Sequence, residues 1–253
     1  MPIVKTDSEI KLISESCKIV AEVLYRLKSY IRPGIITKEL DIIAEDLILS
    51  KSAKPAFKGY KTFDSVPYPA TLCISVNDEV VHGIPGDRIL QEGDIVSLDC
   101  GVFKNGYYGD AAVTYSVGVI SDDKKKLIEV TEDALYKGIE QAIENNRLSD
   151  ISYAIQSRVE RDGFSVVRDL TGHGIGKQLH EEPAIPNYGR KGLGIKLKKN
   201  MTLAIEPMVN MGDYRIKLEQ DGWTIKTYDG LPSAHFEHTI VVQSKKAEIL
   251  TVY

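Results

Sequence analysis

Apolar residues recur in alternating steps of three and four from Ile10 through Ile13, Cys17, Val20, Leu24 and Leu27, the spacing of one face of an α-helix. Just ahead of that stripe, Thr6 and Glu9 have the spacing of a capping box, in which hydroxyl and carboxylate satisfy backbone N–H groups at the helix start. Pro33-Gly34 ends the helical region, and Thr37 is placed to cap a second helix carrying Leu40, Ile43 and Leu47. A loop rich in Lys, Pro and Gly leads on to strand-like segments. After Gly118 the order restarts. Asp122 or Asp123 can cap a helix running to about Asn146, Ser149 can cap another to about Asp162, and strand-like segments dominate to the C-terminus.

The restart leaves traces in the sequence itself. Leu24-Tyr25 matches Leu135-Tyr136 at an offset of 111, and Thr37 and Ile43 match Ser149 and Ile155 at 112. LQEGDIVSLD from Leu90 matches LKKNMTLAIE from Leu197 at an offset of 107, which superimposes Asp99 on Glu206. Chance similarity between two amphipathic series is the competing explanation. The pattern predicts an α+β fold of one domain, 1–253, built from two related αα-then-β halves of about 1–118 and 119–253. Their strands join in one sheet with helices on its outer face.

Composition narrows the classes. With 253 residues, 43% of them hydrophobic, the chain can bury a sizeable core. No apolar run approaches the roughly 20 residues of a membrane span, and the first ten residues lack the pattern of a secretory signal, so the expectation is a cytoplasmic protein with no membrane association. Cys17, Cys73 and Cys100 are odd in number and show no CxxC spacing, which indicates reduced thiols. A net charge of −4 argues against broad binding to nucleic acid, and the small clusters at Lys124 to Lys126 and at Lys196, Lys198 and Lys199 read as solvated surface. No nucleic-acid-specific site is expected.

Candidate chemistry begins at GDIVSLDCG and YYGDAAVTYSVG, two strand-like segments around Asn105-Gly106, a dipeptide suited to a two-residue hairpin turn. A turn of that length sets Lys104 against Tyr107 and Asp99 against Ala112. Asp110 then shares a face with Asp99, diagonally across the pair. Diagonal neighbours lie roughly 7 Å or less apart at Cβ, close enough for two carboxylates to hold metal ions spaced about 3.5 to 4 Å. Solvent exposure of both acids is the competing reading of this pair. Further on, His173 sits within TGHGIG, Glu206 ends the apolar run TLAIEP, and Glu237 lies between His235 and His238. Taken singly, such a Glu usually faces solvent and such a His usually packs in a core. The glycines at 172, 174 and 176 do not have the GxGxxG spacing, and no Lys-Ser/Thr follows, so a phosphate loop is not indicated.

The segments SVNDEVVHGIP, SLDCGVFKNGYYGDAAVT, TGHGIGKQLHEEP, TLAIEPM and AHFEHTIVV, in this order and spanning the chain essentially end to end, resemble the successive signatures of the type I methionine aminopeptidases. The resemblance implies the pita-bread fold, a pseudo-twofold arrangement of αα-β halves around a central curved, mainly antiparallel sheet. It implies two divalent metal ions, with Asp99 on one, His173 and Glu206 on the other, and Asp110 and Glu237 bridging them. Four carboxylates and an imidazole suit Mn, Fe(II) or Co, with Zn also compatible. By the same resemblance Glu206 is the general base, His180 lies near the peptide carbonyl oxygen and His82 near the scissile nitrogen. Tyr68, Cys73 and Trp223 match positions of the wall that receives the methionine side chain. The stretch FKGYKTFDSVPYPATLC is longer than the family's usual Gly-Tyr to Cys segment, which leaves open whether Tyr60 also lines the pocket.

Only 30 residues separate Glu206 from Glu237, where type II members carry a long insertion, so the type I branch is expected. The implied activity is metal-dependent hydrolysis removing N-terminal methionine from nascent proteins with a small second residue. The implied partners are those nascent N-termini, with transient ribosome association, and the implied state is a monomer. Two alternatives share the fold. An X-Pro peptidase normally has a large additional N-terminal domain, and a catalytically dead binding module typically loses metal ligands, all five of which are present here.

Overall fold

The computed structural model describes residues 4–61 and 66–253. Helix α1 spans Asp7–Leu27, and its Thr6/Glu9 capping box is formed, with Thr6 Oγ1 accepting from Glu9 N and a Glu9 carboxylate oxygen accepting from Thr6 N. Of its apolar stripe, Ile13, Cys17, Val20, Leu24 and Leu27 are buried. Helix α2 (Thr37–Ser50), helix α3 (Asp122–Gln141) and helix α4 (Leu148–Arg161) complete the helical layer.

Three of the expected caps are corrected. The N-cap of α2 is Ile36, that of α3 is Ser121, and that of α4 is Arg147, whose N–H donates to Asp150 Oδ2. Thr37 and Ser149 instead spend their hydroxyls on distant loops. Thr37 Oγ1 donates to Gly86 O and accepts from Gly86 N, and Ser149 Oγ donates to Leu193 O and accepts from Leu193 N. A hydroxyl that can satisfy both backbone groups of another loop is worth more there than on one orphan N–H of its own helix.

These paired hydroxyls belong to a set of matched contacts at the starts of α2 and α4. Thr37 N donates to Arg88 O, and Leu148 N to Ile195 O; Leu90 N donates to Ile35 O, and Leu197 N to Asn146 O. The partners differ by 111 and 107 residues, the offsets visible in the sequence. Helices α2 and α4 have equal lengths of 14 residues, and one large apolar cluster packs with α1 and α2, another with α3 and α4. Gly109 lets α1 approach the sheet, because a Cβ there would lie 2.6 Å from Cys17 N.

Among the described residues the main sheet has nine strands, antiparallel throughout. At its centre the hairpin of Ile95–Lys104 and Tyr107–Ser116 stands beside Glu237–Val241, followed by Thr202–Ile205, Thr171–Gly174 and Glu181–Pro186. The hairpin register is the one its turn dictates. Lys104 opposes Tyr107, Asp99 opposes Ala112, and Asn105 and Gly106 both have positive φ, 51° and 85°, as a primed two-residue turn requires. Among the described residues no helix is long and apolar enough to cross a membrane.

Candidate active site

Strand register assembles the acidic groups. Asp99 opposes Ala112, and Ala112 opposes Glu237, so Asp99 and Glu237 stand on one rung across three strands. On the far side His238 opposes Ile205, which brings Glu206, the next residue along, beside Glu237. Two residues along, Asp110 is bracketed by Thr239, whose hydroxyl accepts from Asp110 N at 3.2 Å and donates to Asp110 O at 2.7 Å. Thr239 opposes Ala204, and Ala204 opposes His173. Because side chains repeat with period two, both rungs project from the same face of the sheet. Ligand atoms of Asp110, His173 and Glu237 all lie within 4.8 Å of one another, and His173 Nε2 is 3.4 Å from Glu206 Oε1.

Glycines around His173 make room for this packing. A Cβ on Gly172 would lie 2.5 Å from Ala204 O, and one on Gly174 would lie 2.4 Å from Glu182 O. His173 Nδ1 sits 2.9 Å from Gly174 O. A carbonyl can only accept, so the ring hydrogen belongs on Nδ1 and the Nε2 lone pair faces the acids.

Such a cluster is unfavourable without a cation. Burial raises the Asp99 carboxyl to about 7; burial, then repulsion from Glu237 and Asp99, holds Asp110 well above the usual carboxylate range. Glu206 and Glu237 are raised in the same way, first by burial and then by neighbouring carboxylates. Burial and then the neighbouring His180 push His173 down to about 3, so its imidazole is neutral. Among the described residues Asp99 Oδ1, Asp110 Oδ1 and Glu237 Oε1 are buried with no hydrogen-bond partner, and the Glu206 carboxylate lies within 4 Å of two neutral imidazoles, those of His173 and His235. Buried acids whose oxygens lack donors fit divalent cations, and an oxygen-rich set with one imidazole suits Mn, Fe(II), Co or Zn.

The acids lie at the floor of a cleft of about 980 Å³. All ten side chains singled out from the sequence line it: Asp99, Asp110, His173, Glu206 and Glu237, then His82 and His180, and Tyr68, Cys73 and Trp223. Cys73 opposes Asp99 on the adjacent strand Leu72–Val76. The Tyr68 hydroxyl hydrogen-bonds to the carbonyls of Leu72 and Gly83, and its ring meets Trp223 edge to face at 5.2 Å. Trp223 Nε1 donates to Val66 O at 2.8 Å. With Phe57, Ile175 and Leu179 these form a buried apolar cluster against one side of the acids.

His82 stands at a positive φ of 59°, uncommon for a residue with a side chain, and is fixed there by Gly83, whose carbonyl accepts from Ile74 N. Burial, and next the positive charge His180 can carry, lower His82 to about 4, which leaves a neutral ring beside Trp223 at 6.2 Å. His180 stands at the cleft mouth, its ring edge-on to His173 at 4.4 Å, and partial burial lowers it too.

The structure adds residues that the sequence pattern left aside. Tyr60 lines the cleft, with its hydroxyl 2.6 Å from His180 Nδ1, which answers the open question about that residue; positions 62–65 of the longer segment lie outside the described residues. His235 is buried with an unpartnered Nε2 3.8 Å from Glu206 Oε2. Its position two residues before Glu237 was the available signal, since alternate residues share a face. Lys5 forms a buried ion pair with Glu181 beside the His180 loop, and a separation of 176 residues gave no such signal.

Residues 11–244 match the model of metallopeptidase family M24. The chain is 54% identical over 252 residues to the methionine aminopeptidase of Clostridium perfringens, covering 100% of this chain and 99% of that protein. It is 53% identical over 251 residues to methionine aminopeptidase 1 of Bacillus subtilis, covering 99% of each. The crystal structure of a methionine aminopeptidase from Thermotoga maritima superposes with a TM-score of 0.96 at 46% identity, over 100% of both chains. The chain therefore belongs to metallopeptidase family M24 and, within it, to the methionine aminopeptidases of type I.

Proposed function

We propose that this chain is a metal-dependent methionyl aminopeptidase, removing the N-terminal methionine from nascent proteins and from peptides with a small second residue. The observation that carries this reading is the convergence of four carboxylates and His173 on one floor of a cleft whose adjoining wall is apolar and polarizable. In this reading Asp99, Asp110, His173, Glu206 and Glu237 would together hold two divalent ions. When bound, such ions lower the pKa of water and polarise a carbonyl, so no protein nucleophile is needed.

The chain's own groups would then divide the remaining work. Glu206, next to the neutral His173, takes the proton of the attacking water and returns it to the leaving amine. His180, at the cleft mouth, donates a hydrogen bond to the substrate carbonyl oxygen as negative charge develops there. His82, held in its strained backbone conformation, faces the scissile nitrogen. Cys73, Trp223 and Tyr68 offer the flexible thioether a soft wall, with the Trp223 and Tyr68 rings locked by their hydrogen bonds. The substrate's free amino group would bind at the metal site these residues form, which favours removal of one terminal residue over internal cleavage.

Action in the cytoplasm as a monomer, with transient contact to the ribosome, is part of the same proposal; three free buried cysteines suit a reducing compartment. The test is a comparison of substrates. The protein should release methionine from Met-Ala-Ser and leave Ala-Pro intact, whereas cleavage of Ala-Pro with no release from Met-Ala-Ser would overturn the assignment.

A further inference from the structure

His173 and His180 meet edge-on in the cleft, ring centroids 4.4 Å apart, and each commits Nδ1 to a different kind of partner. The partner of His173 Nδ1 is the Gly174 carbonyl, an obligate acceptor, which leaves Nε2 as a lone pair. The partner of His180 Nδ1 is the Tyr60 hydroxyl, which can donate. A phenol is far more acidic than the N–H of a neutral imidazole, so in this pair the phenol is the donor. With Tyr60 donating, the single hydrogen of the neutral His180 ring resides on Nε2.

The phenol is held for this task. Tyr60 N donates to Phe57 O at 2.8 Å, Tyr60 O accepts from Tyr68 N at 2.9 Å, and Gly59 N donates to Tyr68 O at 2.8 Å, which ties Tyr60 to the same buried cluster that forms the apolar wall. Its ring meets the imidazole edge to face at 5.3 Å.

We propose that Tyr60 is a positioning residue that fixes His180 as the Nε2–H tautomer, so that His180 donates to the substrate carbonyl and is kept out of the metal ligand set. The two histidines thereby hold opposite tautomers, and opposite roles follow from what each Nδ1 meets. The proposal deepens the reading of His180 given above and rests on it.

The test uses ¹⁵N-labelled enzyme loaded with diamagnetic zinc, in which long-range ¹H–¹⁵N correlation separates the protonated from the bare ring nitrogen; His180→Gln assigns the signals. Wild type should carry the hydrogen on Nε2, and Tyr60→Phe should lose that preference. The same variant should lower kcat on Met-Ala-Ser by about tenfold, less than the full loss of an oxyanion donor, while KM and bound metal stay unchanged. A packing role would alter thermal stability or KM and leave the tautomer in place. A wild-type His180 with its hydrogen on Nδ1 would overturn the proposal, and so would a Tyr60→Phe enzyme with unaltered tautomer and kcat. Full kcat in His180→Ala would remove the carbonyl-donor role itself, and the wild-type tautomer would still report independently whether Tyr60 sets the ring.

Discussion

Replacing Glu237 by Gln should stabilise the metal-free protein and diminish what metal adds to it. Glu237 is 3% exposed, Oε1 has no hydrogen-bond partner among the described residues, and burial followed by repulsion from Glu206 and Asp99 holds its carboxyl well above the usual range. In the unfolded chain the group titrates near 4.5, so the folded, metal-free protein binds the extra proton. The sign follows from that: stability is fully present below about pH 4.5 and is lost as the pH rises toward the raised folded value. At pH 7 the loss from this one group cannot exceed about 3.4 kcal/mol, the cost of keeping a carboxyl with a free pKa of 4.5 protonated at that pH. Relaxation and water entry reduce it, and about 1–2 kcal/mol is expected, or about 2–8 °C in Tm for a chain of this length. Saturating metal supplies the opposite effect, about 2.7 kcal/mol at 100 times Kd. Calorimetry of chelator-treated wild type and Glu237→Gln at pH 5 and pH 7, with and without Mn, reads both. Metal-free Glu237→Gln should melt higher than wild type at pH 7 with a smaller gap at pH 5, and Mn should raise the variant's Tm less. A variant that melts no higher than wild type without metal and gains as much with it would refute the reasoning.

Two further substitutions probe how the cleft is built. His173→Ala should lose bound metal, whereas His180→Ala should retain it and lower kcat by about 100- to 1000-fold with a much smaller change in KM, as metal analysis and steady-state kinetics would show. Gly174→Ala should cost about 1–3 kcal/mol in denaturant unfolding and weaken metal binding, because the added methyl meets the Glu182 carbonyl at 2.4 Å and displaces the strand that carries His173. Stability equal to wild type would show that this strand can shift without consequence.

Much of this architecture was legible in the residues. Asn105-Gly106 fixed a two-residue turn, and from that turn alone the register of Asp99 against Ala112 followed, together with the shared face of Asp99 and Asp110. Backbone hydrogen bonds at the starts of α2 and α4 differ by 111 and 107 residues, offsets that also occur in the sequence matches. Local chemistry misled at the helix caps, because Thr37 and Ser149 find better partners in Gly86 and Leu193, contacts that no spacing rule contains. Pairings between distant segments were equally hidden: Tyr60 meets His180 across 120 residues, and Lys5 meets Glu181 across 176. His235 was visible as a neighbour of Glu237, yet only the packed structure brings it against Glu206.

The central claim is that buried acids and one imidazole hold metal for the removal of methionine. The most direct measurement is methionine release from Met-Ala-Ser while Mn, Co or Fe(II) is titrated into protein verified as metal-free, with bound metal read on the same samples. No release is expected at zero metal, with activity rising as the site fills. Full release from the metal-free sample would contradict the account.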